Sequence, residues 1–568
     1  MSIVKHLVII VLGLLNTQPI LAQSSINLTP RAKSVEAGSG AVKLTKGFKV
    51  GYAMGGSSMP DSIAIEAKHF IEDINKATGL KAKVSKKGKG LITLAIDPSL
   101  PAEGYTLKTC SGTSSADAKR QNEQPSIHIT ASTTSGFFYA FQTLKKMLPA
   151  NVIAGQQDKE STYIVPSVSI DDEPRFGYRG FMLDVSRHFF TLDELKRMID
   201  VMAVYKMNVF HWHLTDDQGW RAEIKKYPRL TEVGSVAAKC RLNDMKTGPY
   251  WTKIPYGPYF YTQDQMRELV AYAKERHIEV LPEVDMPGHF CAAMASYPEY
   301  SCTPNGTHEV ATHQGGVWDD VMNVANPKAV QFAKDILTEL MDIFPYPYIH
   351  IGGDECPTKA WEQNDECQQR KEQLGLKSYR ELQTRFIKEM SDHVRSHGKS
   401  LIVWNESVTA GGADLDLMAT TGATVMSWHP CQAGARKAAE LGLNTIITEY
   451  HTAQGGYYIN RKQSADPDEP QGAGAGDDTV EGCYNYVPVP ANVPADLQPR
   501  YKGVQATFWT EWVSDRQYLE YLALPRLIAV AEAGWTQQSD KDFEDFRSRM
   551  IKDRVWLDMK GYEYGKKY

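Results

Sequence analysis

Eight short apolar runs, each followed by a stretch of helical spacing, govern what the chain beyond Tyr178 can fold into. The runs are residues 181–185, 209–214, 280–284, 348–351, 401–404, 424–428, 445–448 and 504–509. Strand and helix patterns in strict alternation argue for βα units and a parallel sheet. Eight such units over roughly 390 residues fit a closed (β/α)8 barrel with long loops. Several helices announce their starts. Thr191-Leu192-Asp193-Glu194, Thr262-Gln263-Asp264-Gln265 and Ser378-Tyr379-Arg380-Glu381 read as capping boxes, and Asn326-Pro327 places proline just inside a helix.

The segment before the barrel reads as a small α+β domain. Helical spacing covers 63–78 and 136–147, with strand-like runs at 91–96, 105–108 and 127–131 and a polar loop over 110–124. Nothing in it points to chemistry, and a scaffold role is expected. The expected division is a signal peptide at 1–22, the small α+β domain at 23–172 and the barrel domain at 173–568. Lys5 and His6 precede an apolar run over 7–15 that is too short to span a bilayer, which needs about 20 residues. A basic start, a short apolar stretch and a small residue at the exit suggest export to the periplasm or the medium. A proline-, glycine- and acid-rich stretch at 463–478 reads as a surface loop.

Charge and cysteine usage exclude several classes. Lys+Arg 63 against Asp+Glu 68 leaves a net charge of -5, without the basic excess of a nucleic-acid binder. The eight cysteines include no C-x-x-C pair, which argues against a zinc ribbon or a thioredoxin-like site. Cys356 and Cys367 are the nearest approach to a local bridge. No later run is long enough for a membrane helix.

In a barrel of this kind, chemistry collects just beyond the C-terminal ends of the strands. Strand one leads to Asp184 and Arg187-His188; strand two to Asp216-Asp217 and Trp220; strand three to Glu283, Asp285 and His289. Strand four ends in Asp354-Glu355, strand five in Trp404-Asn405-Glu406, strand six at Trp428, and strand eight at Trp509 and Glu511. Gly455-Gly456-Tyr457-Tyr458 follows strand seven. A lone acid at a strand end is more often a structural ion pair, but acids and tryptophans crowded at one mouth suit a carbohydrate site. Indole faces stack on a pyranose, and charged groups hold its hydroxyls. Glycoside hydrolysis needs a carboxylic acid to protonate the leaving oxygen, usually with a second carboxylate facing it. Here the tightest acidic pair is adjacent in sequence and would not obviously bracket a bond.

RGFMLDVSRHF (179–189), HWHLTDDQGW (211–220), EVDMPGH (283–289), HIGGDE (350–355) and FWTEW (508–512) resemble glycoside hydrolase family 20, the β-N-acetylhexosaminidases. EGYTL (103–107) and GFFYAFQTLKKML (136–148) are similar to that family's accessory domain, so the resemblance covers essentially the whole mature chain. It implies an exo-acting enzyme that removes terminal β-linked GlcNAc or GalNAc by a retaining, substrate-assisted route, the exception to the paired-carboxylate rule. Glu355 would be the general acid and then the base. Asp354 would hold the acetamido N–H, and Tyr458 its oxygen. Trp404, Trp428 and Trp509 would wall the pocket; Arg187 and Glu511 would grip hydroxyls; Asp216 and His289 would tune Glu355. No metal and no cofactor is implied. The implied partners are glycans ending in β-N-acetylhexosamine and a second copy in a homodimer, with no nucleic acid and no membrane span.

One position departs from the family pattern. An aspartate commonly stands two residues after the tyrosine, and this chain has Asn460, which hydrogen-bonds without charge. Two other readings compete. His211-Trp212-His213 resembles an H-x-H metal pair, since alternate strand residues face one side, but it stands on the second strand rather than the first. A catalytically dead sugar-binding protein is disfavoured because Asp354, Glu355 and Tyr458 are all present.

Overall fold

The computed structural model describes residues 26, 28–53, 58–112, 124–312, 315–453, 455–464 and 478–566. The proposed signal segment, most of the 110–124 loop and most of the 463–478 loop lie outside the described residues.

The eight runs close into a parallel barrel. Its strands are Tyr178–Asp184, Val209–His213, Glu279–Glu283, Tyr348–His350, Ser400–Trp404, Thr424–Ser427, Asn444–Ile447 and Tyr501–Phe508. The last pairs with the first from Gly503–Tyr178 to Phe508–Leu183, which shuts the cylinder. Each expected run matches a strand to within a few residues. Buried Met182, Leu281, Ile402, Met426 and Ile446 form a cluster inside the cylinder, with Trp404 at its upper end. The larger apolar layer lies between strands and helices.

The helices begin where their caps indicate. The Thr191 N–H donates to Glu194 Oε2 at 2.7 Å ahead of Leu192–Val204, and the Thr262 N–H donates to Gln265 Oε1 at 2.9 Å ahead of Gln263–Lys274. Asn326 caps Pro327–Ile343 by accepting from the Lys328 N–H. The third expected box is only half formed. Ser378 Oγ accepts from the Glu381 N–H, but the Glu381 carboxylate takes the Lys377 N–H, so the helix starts at Arg380.

The N-terminal region is a seven-stranded mixed sheet ordered Ser34–Lys43, Ile164–Asp172, Tyr105–Cys110, Ser126–Ala131, Ile92–Ile96, Lys49–Tyr52, Lys83–Val84. Helices Asp61–Thr78 and Thr134–Lys146 pack together through Phe70 and Phe141, stacked 4.4 Å apart. The three middle strands match the expected runs, while the first two and the last two of the order were not evident from sequence. Ser34–Lys43 is an exposed edge strand with few apolar residues, and it needs Ile164–Asp172 as its partner. The sheet sits on the barrel through buried ion pairs: Lys206 Nζ–Asp172 Oδ2 at 2.8 Å and Arg179 Nη2–Glu103 Oε1 at 2.8 Å. Trp535 Nε1–H adds a hydrogen bond to Asp172 Oδ1. Cys291, Cys302, Cys356, Cys367, Cys431 and Cys483 are free thiols. The thiol that faces Cys367 belongs to Cys302 rather than Cys356, because the chain folds residues 298–302 back beside helix Asp365–Gln373.

Among the described residues, no helix is long and apolar enough to cross a membrane.

Candidate active site

A cavity of about 460 Å³ opens at the C-terminal mouth of the barrel. Arg187, Asp216, His289, Asp354, Glu355, Trp404, Trp428, Tyr458, Asn460, Trp509 and Glu511 all line it. Every site residue named from sequence is therefore at one place, though these come from the ends of all eight strands or the loops after them. His429, Tyr450, Arg461 and Trp512 also line it and carried no assigned role. His429, Arg461 and Trp512 each sit beside a residue already singled out; Tyr450 gave no signal of its own.

The turn after strand four delivers the acidic pair. Gly352 and Gly353 have φ of 66° and 90°, and a Cβ on Gly352 would lie 1.7 Å from Asp285 Oδ1, so glycine is required there. The Gly353 N–H donates to Asp285 Oδ1 at 3.1 Å, pinning the turn to strand three. Asp354 then points inward and is buried, while the Glu355 side chain is 43% exposed at the cavity mouth. Burial pushes Asp354 up to about 6, helped by the charges of Glu355 and Glu283 and opposed by His289. Burial and the neighbouring Asp354 drive Asp285 well above the usual carboxylate range.

A charged chain runs from Glu355 into the barrel. His289 Nε2 lies 3.4 Å from Glu355 Oε2, and His289 Nδ1 lies 2.9 Å from Asp217 Oδ2 and 3.2 Å from Asp216 Oδ1. Asp216 Oδ2 also accepts from Arg187 Nη2 at 2.7 Å and contacts His213 Nε2 at 2.9 Å. Burial opposes ionisation of Asp216, but Arg187 and His289 together hold it well below the usual carboxylate range. Although burial disfavours the charged imidazole of His289, its acidic neighbours raise it well above the usual histidine range. Arg187 is aimed by Asp184, by Gln218 Oε1 at 2.9 Å, and by the face of Trp509 at 5.0 Å.

Aromatic rings wall the same cavity that Asp354 lines. Trp404 and Trp509 have ring centroids 6.1 Å apart, and Tyr458 lies near-parallel to Trp428 at 6.2 Å. Two indoles are fixed by carboxyls behind them: Trp404 Nε1–H donates to Glu283 Oε1 and Trp428 Nε1–H to Glu406 Oε2, each at 2.9 Å. Burial pushes Glu406 up to about 8 and Glu511 up to about 7. Residues 457–459 lie alongside the end of strand eight: the Thr507 N–H donates to Tyr457 O and the Ile459 N–H to Thr507 O. That register turns Tyr458 into the cavity and Tyr457 away from it, against Tyr486. Asn460 is buried, and its Oδ1 has no hydrogen-bond partner among the described residues. Arg461 beside it pairs with Asp478 and donates to the Tyr450 hydroxyl.

A (β/α)8 barrel whose mouth joins an adjacent Asp-Glu pair to an aromatic box defines a carbohydrate-active enzyme. The catalytic-domain model of glycosyl hydrolase family 20 matches residues 176–538, and the model of that family's domain 2 matches residues 25–173. This chain belongs to glycosyl hydrolase family 20. It is 39% identical over 488 residues to a beta-hexosaminidase of Porphyromonas gingivalis, a match covering 85% of this chain and 58% of that protein. A Vibrio furnissii beta-hexosaminidase is 32% identical over 527 residues, covering 91% of this chain and 77% of the relative. Among solved structures, a Vibrio harveyi GH20 exo beta-N-acetylglucosaminidase in complex with N-acetylglucosamine has a TM-score of 0.79 at 32% identity. That likeness covers 95% of this chain and 78% of the other. A Streptomyces plicatus N-acetyl-beta-hexosaminidase in complex with Thio-NAglucal has a TM-score of 0.76 at 29% identity, covering 95% and 96%.

Proposed function

We propose that this chain is an exo-acting β-N-acetylhexosaminidase that removes terminal β-linked GlcNAc or GalNAc with retention of configuration, the substrate's acetamido group serving as nucleophile. The observation that carries this reading is Asp354, a buried carboxylate inside an aromatic box. Besides Asp354 and the mouth acid Glu355, the acids lining the cavity are Asp216, tied to Arg187, His213 and His289, and Glu511, close to Arg187. Asp216 is committed to its ion pairs and Glu511 is drawn to Arg187, which supports a nucleophile that arrives with the substrate.

The division of work follows from position. Glu355, at the cavity mouth, donates a proton to the leaving oxygen and later takes one from water. Asp354, once ionised, accepts the acetamido N–H and stabilises the positive charge that grows as the carbonyl oxygen closes on C1. The Tyr458 hydroxyl donates to that oxygen and aims it. Holding the carbonyl in line gives the advantage of a pre-positioned intramolecular group. Trp404, Trp428 and Trp509 enclose the acetamido methyl and the ring face, and Arg187 and Glu511 bind hydroxyls. Asn460 offers an uncharged hydrogen bond where the family commonly has a carboxylate. The relatives' names and the N-acetylglucosamine bound by the Vibrio harveyi neighbour support the substrate class.

The test compares aryl β-N-acetylglucosaminide with aryl β-glucoside and measures inhibition by a cyclic thiazoline. Negligible glucoside cleavage and thiazoline binding far tighter than that of the product sugar are expected, because the site is complementary to the oxazolinium species. A covalent glycosyl ester trapped on any carboxylate would sink the mechanism. Export to the periplasm or the medium is part of the proposal and rests on the segment at 1–22.

A further inference from the structure

The H-x-H pair on strand two and the glutamate ending strand three have no place in the chemistry above, yet they form a connected polar cluster inside the barrel. Glu283 is fully buried. Its Oε2 lies 2.6 Å from His213 Nδ1 and 3.0 Å from His211 Nε2. Its Oε1 lies 2.9 Å from His350 Nδ1 and accepts the Trp404 indole N–H at 2.9 Å. His213 in turn reaches Asp216 through Nε2. One carboxylate thus touches a wall of the sugar pocket with one oxygen and, through His213, the chain leading to Glu355 with the other.

We propose that Glu283 is a positioning residue that fixes the Trp404 wall and, through His213, ties that wall to the Asp216–His289–Glu355 chain; this rests on the hexosaminidase reading above. The geometry gives each histidine a distinct part. His213 bridges two carboxylates and can satisfy both only by donating from both nitrogens, as an imidazolium. Burial opposes that charge, but the Glu283 charge and the bonds to Asp216 and Glu283 push His213 up to about 10. His211 has the single carboxylate contact, and burial brings it down to about 4, leaving it neutral. A charged His213 needs an anion at Glu283, because an unpaired buried charge is strongly destabilising. Only a carboxylate can serve Trp404 with one oxygen and an imidazolium with the other. A carboxamide has one accepting atom and must abandon one of them.

The test uses the full chain with E283Q, W404F and the double variant, assayed on aryl β-N-acetylglucosaminide. In E283Q the amide oxygen can keep Trp404 while its NH2 group turns to His213. KM should then stay within about twofold while kcat falls about 10-fold or more, the pattern of an interaction felt in the transition state. The low-field imidazolium proton signal between His213 and its carboxylates should vanish from the NMR spectrum. The losses in kcat/KM of E283Q and W404F should be less than additive in the double variant, as for groups acting through one another. Wild-type kcat and an unchanged imidazolium signal in E283Q overturn the proposal, as does strict additivity. Because donor atoms of His211, Glu283 and His350 lie within 4.8 Å of one another, elemental analysis of the purified chain is included. One zinc per chain whose removal reproduces E283Q would also overturn it, making the cluster a metal site. An inactive wild type would instead strike at the hexosaminidase reading.

Discussion

His289 Nε2 and Glu355 Oε2 stand 3.4 Å apart, and both residues have left-handed backbones, with φ of 47° and 42°. Non-glycine residues hold such conformations only where the surroundings over-determine them, at a cost of order 1–3 kcal/mol each. His289 is fixed by Asp216 and Asp217, and Glu355 follows the Gly352-Gly353 turn. The strained pair places an exposed carboxyl at the cavity mouth, opposite a buried imidazole that orients it. A flexible loop would not hold that arrangement.

Glu355→Gln keeps the shape but cannot donate a proton. Turnover of chitobiose should fall by about 10²–10⁴, the usual worth of general acid–base catalysis, with little change in product binding. Aryl substrates with activated phenol leaving groups should lose less in the first step. Near-normal chitobiose cleavage by the variant would remove Glu355 from the acid role.

Gly352→Ala tests the turn itself. The added Cβ would sit 1.7 Å from Asp285 Oδ1 at a φ of 66°. Displacing Asp285 also displaces its contact with the Gly353 N–H, so Asp354 should lose its aim. The expected outcome is a lower thermal midpoint with kcat reduced more than 10-fold, since small misplacements at a reacting centre are costly. An alanine variant with wild-type kcat would show that the turn tolerates a shift.

The barrel was legible because its strands are short apolar runs bounded by helix caps, and burial on both faces leaves few other ways to place them. The site was legible because barrel chemistry is confined to strand ends, so the positions of Asp354, Glu355 and Trp404 in sequence already carried spatial meaning. What stayed hidden depends on contacts between distant segments. Ser34–Lys43 is a strand only because Ile164–Asp172 lies beside it. Tyr450 reaches the cavity because its N–H donates to Trp428 O and its ring packs edge-on against Tyr458, which no local pattern announces. Glu283 looked like any acid at a strand end until four side chains were seen to converge on it.

Chelation should leave the enzyme active. The acids and Tyr458 account for every step proposed, so dialysis against a strong chelator should change kcat by less than about twofold. Loss of activity that returns with zinc would revive the H-x-H metal reading and move His211 and His213 into the chemistry.

Protein recovered from the native host should begin near Gln23. The motive is the short apolar run after Lys5, read as a removable leader. N-terminal sequencing of material from the periplasm or medium settles it, and an intact Met1 would count against export.

Asp354→Asn should lose activity and gain stability, with both effects following pH. In the folded chain Asp354 ionises at about 6, above its ordinary value of 3.8. A raised carboxyl binds its proton more tightly in the folded state. Its presence therefore lowers stability progressively as pH rises from about 4 to about 6, by an amount on the order of 1–3 kcal/mol, and the deficit stays constant above that. Asparagine carries no such charge. The thermal midpoint of Asp354→Asn should exceed that of the wild type at pH 7.5, and the gap should close toward pH 4. Catalysis runs the other way, because only the ionised group can accept the acetamido N–H and offset the developing positive charge. The wild-type kcat/KM should show an acid limb with a midpoint near 6, and the variant should be slow at every pH and lack that limb. A variant less stable than the wild type at pH 7.5, or an acid limb that survives the substitution, would mean that the buried charge belongs to another member of the cluster, with Asp285 the first to examine.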